Sequence, residues 1–181
     1  PDYQFTDFAN LVRKARTDFG AEIQVVRRTA DLATDDPGAR FPMPKLEELV
    51  HPALLDVIGV PEDFKPLPDV ASGDDGATPA VRSQRHALLA RIHYLDTDQF
   101  SWLLLIKPCL MGDETVDVLQ YQRTHPLFPQ EPTTDQYFDE AQWESYRKLG
   151  EHIGTELFTP PSVVDAASSA TWSPSQMIAP K

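Results

Sequence analysis

Apolar residues first recur at helical spacing between positions 7 and 19. Phe8, Leu11, Val12, Ala15 and Phe19 fall on one side of a helix. Thr6 stands before this run as an N-cap residue, and Gly20 follows it as a helix-ending glycine. The β-branched run Glu22–Val26 predicts a short strand. Helix, glycine and strand make half of an α/β repeat. No strand pattern precedes the helix, so the expectation is an α/β domain cut short on that side. The sequence opens at Pro1 rather than methionine, which fits processing or an excerpt.

The pattern then lapses. Pro37, Pro42, Pro44, Pro52, Pro61, Pro66, Pro68 and Pro79 interrupt residues 29–85. Helical turns are predicted at Lys45–Val50 and Pro52–Ile58. Residues 66–80, with Ser72-Gly73-Asp74-Asp75-Gly76, read as an exposed and mobile loop. The whole stretch is expected to be an insertion ahead of a hairpin.

That hairpin, His86–Tyr94 and Phe100–Lys107, is the clearest element. Alternation puts Leu88, Ala90, Ile92 and Tyr94 on one face and Ala87, Leu89, Arg91 and His93 on the other. A turn at Asp96–Gln99 would oppose Leu95 to Phe100, His93 to Trp102 and Arg91 to Leu104. Trp102, Leu104 and Ile106 back onto Leu103 and Leu105, so the second strand is expected to be covered on both faces. Pro108 ends it. Arg91 and His93 share a face that Trp102 and Leu104 help to bury, and a buried charge needs a partner. The structural expectation is an acid from a nearby helix, among Asp113, Glu114, Asp117 and Glu144. The functional alternative is contact with a lipid head group or a catalytic cleft.

Asp113 is expected to cap a helix through about Arg123, stopped by Pro126, with His125–Pro132 as a proline-bracketed connection. Asp139 with Gln142 resembles a capping box. Trp143, Tyr146, Gly150, Ile153 and Leu157 then form one stripe of a helix reaching Phe158. Past Pro160-Pro161, Ser, Ala, Thr and Pro predict a disordered tail. No internal repeat is visible.

Composition narrows the function. Hydrophobic residues make up 41% of 181, which is globular. A net charge of −12 argues against nucleic acid as a partner, and an anionic membrane would repel the chain as a whole. Arg13, Lys14, Arg16, Arg27 and Arg28 make the first 28 residues less acidic than the rest, read as a solvated helix face rather than a phosphate patch. The longest apolar run, Trp102–Ile106, is strand-sized, and the expectation from these residues is a chain without a signal peptide. Cys109 is the only cysteine, so no intrachain disulfide forms; it is expected to be buried and inert.

The search for catalytic chemistry is largely negative. No Gly-x-Ser-x-Gly elbow occurs. Asp75-Gly76-Ala77 sits in a Pro/Gly/Asp loop and reads as a surface turn. His-Glu-x-x-His is absent, Glu151-His152 lacks a second helical histidine, and Asp74-Asp75-Gly76 lacks the ligand pattern of a calcium loop. His51, His86, His93, His125 and His152 are too scattered along the chain to define a metal site. The sequence therefore assigns no catalytic, cofactor-binding or metal residue.

Two stretches carry a family resemblance. One runs from Pro1-Asp2-Tyr3 through Arg13-Lys14-x-Arg16-x-Asp18-Phe19-Gly20-x-Glu22-Ile23. The other runs from Arg91-Ile92-His93-Tyr94 through Ile106-Lys107-Pro108, Gly112-Asp113-Glu114, Asp117-Val118, Tyr121, His125-Pro126-Leu127-Phe128-Pro129 and Asp135-Gln136-Tyr137-Phe138-Asp139-Glu140 to Leu149-Gly150-Glu151-His152. In order and spacing these segments, somewhat over half the chain, resemble the C-terminal part of bacterial patatin-like phospholipases, the serine lipid acyl hydrolases.

The resemblance implies an α/β fold: the C-terminal part of a patatin-like sheet flanked by helices, with a β-hairpin and a long proline-rich loop. It divides the chain into a helix–strand piece (1–28), a proline-rich insertion or loop (29–85), a hairpin plus two helices completing the domain (86–158) and a disordered tail (159–181). It implies that an upstream serine attacks an acyl ester with an aspartate as its base, that Gly-rich N–H groups hold the oxyanion, and that no cofactor is needed. The partners implied are the N-terminal remainder of the parent chain and, through it, a lipid or acyl-ester substrate. Membrane contact, on the cytoplasmic face, would also run through the parent. The alternative is a non-catalytic module that binds a protein or lipid through the hairpin or the 139–158 helix. A weaker third is an enzyme using Asp75, His93 or Cys109.

Overall fold

The computed structural model describes residues 5–30, 41–65, 67–68, 81–132, 134 and 137–158. The Asp75 turn, most of the 66–80 loop, the Pro1-Asp2-Tyr3 segment and the 159–181 tail lie outside the described residues. In chain order the elements are α1 (Thr6–Phe19), β1 (Ala21–Val25), α2 (Leu46–Leu49), β2 (Ile58–Gly59), β3 (Leu67–Pro68), β4 (Val81–Arg82), β5 (Ala87–Tyr94), β6 (Gln99–Ile106), α3 (Val116–Thr124) and α4 (Glu140–Phe158). The fold is mixed α/β.

Gly20 ends α1 as predicted. Its φ of 56° lies in the left-handed region, and its N–H donates to the Ala15 carbonyl. Thr6 does not cap the helix but is its first residue; Phe5 takes the cap position without a side-chain bond. The Phe5 ring meets Phe64 edge-on at 5.3 Å, so apolar packing fixes the entry to α1.

β5 is the centre of the sheet. Ala87–Tyr94 pairs with β6 antiparallel along its whole length. Its other edge is shared: Ala90–Tyr94 pairs with β1 antiparallel, and Ala87 and Leu88 pair with β2 in parallel. β3 and β4 form a separate two-stranded antiparallel ladder. The 29–85 stretch thus supplies a sheet strand, and Leu46, Leu49, Val50, Leu54, Val57 and Ile58 join the main core.

The hairpin register differs from the expected one by two residues. Tyr94 opposes Gln99, His93 opposes Phe100 and Arg91 opposes Trp102. The turn is Leu95–Asp98, one residue earlier than predicted, and Asp98 closes it at φ 53°, a conformation aspartate tolerates. A slip of two keeps every side chain on its predicted face. The strand buried on both sides is β5, at Ala87–Arg91, not β6. Among the described residues β6 pairs only with β5, and its Trp102 is 37% and its Ile106 41% exposed.

One sheet face carries Leu88 and Leu105, which pack with Val25, Phe64, Cys109, Phe5 and Phe8. The other carries Ala87, Leu89 and Leu104, which pack with Leu110, Val118, Tyr121, Phe128, Leu149, Ile153 and Leu157. Burying each such leucine contributes about 1.5–3 kcal/mol. The buried stripe of α4 is Gln142, Ser145, Leu149, Ile153 and Leu157. Trp143 and Gly150, placed in the stripe from sequence, are exposed. Asp139 does cap α4, accepting the Gln142 N–H at 2.7 Å. The Gln142 side chain turns instead to Glu131, so the box is half closed.

Arg91 and His93 find partners, but not helix acids. The Arg91 guanidinium donates to the Phe41 and Pro42 carbonyls and to Gln24, and lies over the Phe100 ring. His93 stacks on Phe100 and meets Asp98 of the turn at 3.1 Å. The 41–42 segment brings its backbone carbonyls within 3.0 Å of the Arg91 guanidinium and supplies the acceptors expected from the acids. Asp113 is not a helix cap either: α3 starts three residues later, at Val116.

Candidate functional site

Three segments meet at the end of β5 beside α4. His86 leads into β5, and its backbone is pinned by bonds from its N–H to Val57 and from Lys107 to its carbonyl. Its side chain has no solvent exposure. Asp113 lies in the loop between β6 and α3. Glu114 shapes that loop, its carboxylate accepting the N–H groups of Met111 and Gly112 at 2.6 and 2.8 Å. His152 and Glu156 stand one helical turn apart on α4 and so project from the same side.

The groups converge closely. His86 Nε2 lies 3.5 Å from Glu156 Oε2, His152 Nε2 lies 3.4 Å from Asp113 Oδ1 and 3.8 Å from Glu156 Oε1, and the two imidazole rings stand edge to face at 5.9 Å. One ligand-type atom from each of His86, Asp113, Glu114 and His152 falls within 4.8 Å of the others. His86 Nε2, His152 Nε2 and Glu156 Oε2 are buried without a hydrogen-bond partner. Leaving such atoms unpaired costs about 1–3 kcal/mol each.

Burial sets the protonation. Loss of water, then the neighbouring His152, pushes the His86 imidazole down to about 4, against a smaller pull from Asp113. Burial likewise raises Glu156. On its other side His86 Nδ1 lies 3.6 Å from the Cys109 thiol.

Thiol, imidazole and carboxylate in that order are the parts of a cysteine hydrolase. Here they cannot act as one. Cys109 is fully buried and burial pushes its thiol up to about 12, while His86 is too weak a base to take that proton. Cys109 is buried, as its sequence setting predicts, and bonded to the Arg85 and Lys107 carbonyls.

The fold joins two of the five histidines that the sequence left scattered. Of the others, His51 accepts the Ala53 N–H, His93 belongs to the hairpin, and His125 stacks on Tyr121. His152 with Glu156, spaced i, i+4, was the one local signal of the cluster; His86 was visible only after folding.

Nearby, Ile106, Pro108, Tyr146, Leu149, Gly150, Ile153, Gly154 and Phe158 line an apolar cleft of about 270 Å³ between β6 and α4. No helix among the described residues is long and apolar enough to cross a membrane. No family model, curated protein or solved structure matches this chain.

Proposed function

We propose that this chain is a structural part of a patatin-like lipid acyl hydrolase and carries no catalytic group of its own. The observation that carries the reading is that the described serines and the cysteine are committed to structure. Ser83 Oγ donates to the Asp63 and Arg85 carbonyls, Ser145 Oγ to Ala141, and Ser101 pairs with the Tyr94 hydroxyl. Cys109 is buried and protonated.

The form of the sheet supports the same reading. Among the described residues, β1 and β6 each pair only with β5, so each offers an outer row of backbone donors and acceptors to a further strand. Phe100, Trp102 and Ile106, part-exposed on β6, would gain cover from it. The chain extends and backs a catalytic sheet, and its α4–β6 cleft is apolar enough to wall an acyl chain. The serine, its aspartate base and the oxyanion-binding N–H groups come from upstream residues of the parent, as in the family the sequence resembles.

Labelling the parent protein with a fluorophosphonate and mapping the adduct tests this. The adduct is expected on a serine preceding Pro1. An adduct on Ser83, Ser101, Ser145 or any other serine of these 181 residues overturns the proposal.

A further inference from the structure

We infer that His86, Asp113, His152 and Glu156 form a binding site for one divalent transition-metal ion, with zinc the best match. The inference does not depend on the acyl-hydrolase reading.

Hydrogen-bond directions around His86 are the starting point. The Cys109 thiol has one proton, which it gives to the Arg85 carbonyl at 3.0 Å or the Lys107 carbonyl at 3.3 Å. Its sulfur then accepts from His86 Nδ1–H. With the thiol proton on one of these nearer carbonyls rather than on His86 Nδ1 at 3.6 Å, a neutral His86 carries its lone pair on Nε2, the form that binds metal. The Nε2 lone pair points at Glu156 Oε2 from 3.5 Å, and both atoms lack a hydrogen-bond partner. Two acceptors facing each other in a buried site repel unless something positive lies between them.

The second pair repeats the arrangement. His152 Nε2 is also buried and unpartnered, 3.4 Å from Asp113 Oδ1 and 3.8 Å from Glu156 Oε1. With metal–ligand bonds of about 2.0–2.1 Å, tetrahedral zinc holds its ligand atoms roughly 3.3 Å apart. Three of the six edges of such a tetrahedron are seen, at 3.4, 3.5 and 3.8 Å, the last two to different oxygens of Glu156, and His86, Asp113 and His152 each place a ligand atom within 4.8 Å of the others. Two imidazoles with carboxylates suit zinc and its neighbours in the first transition row, whereas calcium and magnesium prefer all-oxygen shells. Glu114 keeps its carboxylate on the Met111 and Gly112 N–H groups and thereby holds the Asp113 loop in place.

The ligands come from the strand entry, the β6–α3 loop and α4. An ion there clamps α4 onto the sheet end, a structural role with four protein ligands. A single proton shared between Glu156 and His86 is the competing explanation, and it predicts no metal affinity.

The test uses the full 181-residue chain, stripped with chelator and titrated with Zn²⁺ and Co²⁺. One ion is expected per chain. Co²⁺ should give visible bands of a four-coordinate N/O site, and Zn²⁺ at a hundredfold excess over Kd should raise Tm by about 5–10 °C. His152→Ala should weaken Zn²⁺ binding by more than about 100-fold, and Asp113→Asn by at least about 10-fold, since even the partners that orient metal ligands are worth about 10–100-fold. Both side chains are partly exposed, so either variant should fold without metal. His125→Ala, away from the cluster, should bind as the original does. No heat, no bands and no Tm shift on adding Zn²⁺ or Co²⁺ would overturn the inference in favour of the shared proton. Equal loss in His125→Ala would overturn it in favour of non-specific surface binding.

Discussion

The carboxylate of Asp63 occupies the space that a side chain on Gly59 would need. A Cβ built on Gly59 collides with Asp63 Oδ2 and with the Arg85 side chain. Asp63 cannot give way, because it accepts the Val60 N–H at 2.9 Å and holds the Arg28 guanidinium in a two-pronged pair. Gly59 in turn pairs with Leu88 on the central strand. Gly59→Ala should therefore destabilise the fold by about 1–3 kcal/mol, the usual cost of overpacking. Urea unfolding monitored by tryptophan fluorescence would measure it; a cost under about 0.5 kcal/mol would mean that the Gly59–Asp63 contact is slack.

Replacing Asp63 by alanine removes one partner of Arg28, its two-pronged carboxylate, and takes away the carboxylate that accepts the Val60 N–H. A loss of about 2–4 kcal/mol is expected, because Asp63 is buried and Arg28 partly so. Glu62→Ala, next in sequence, should cost no more than about 1 kcal/mol. Its pair with Arg27 is roughly half exposed on both sides and water screens it. Paired denaturation curves would separate the two cases.

The burial pattern of α4 gives a sharper contrast. Leu149→Ala should cost about 2–5 kcal/mol by opening a cavity in the main core. Trp143→Ala should stay within about 0.5 kcal/mol, since that ring is 58% exposed. A reversal of the order would restore the stripe read from sequence.

That contrast shows what was legible and what was not. Gly20, the Glu22–Val26 strand, the hairpin and the Asp139 cap all declare themselves through a few neighbouring residues. The phase of α4 was lost because Tyr146, Ile153 and Leu157 fit two overlapping stripes, and only the sheet decides between Trp143 and Leu149. β6 is more apolar than β5, yet β5 is central, because centrality depends on which strands return to pair with it. β2, at Ile58–Gly59, is too short to carry a strand signal. The His86–His152 meeting was out of reach for the same reason: it is created by the packing of α4 against the sheet end.

Cys109 makes stability pH-dependent in one direction. Its thiol sits at 9.0 when unperturbed and at about 12 in the fold. The unfolded chain therefore loses the proton first. Stability owed to the neutral thiol is complete below pH 9 and falls between pH 9 and 12, by up to about 1.4 kcal/mol per pH unit. Cys109→Ala should lack that component of the slope. Iodoacetamide at pH 8 should leave the folded thiol untouched and modify it in denaturant. Rapid alkylation of the native chain would show that the site opens.

Catalytic silence of this chain is the central claim, and hydrolysis of p-nitrophenyl butyrate tests it most directly. The purified 181-residue chain is predicted to release p-nitrophenolate no faster than buffer, while the parent protein turns the ester over. Hydrolysis by the 181 residues alone, above the buffer rate and proportional to their concentration, would contradict it.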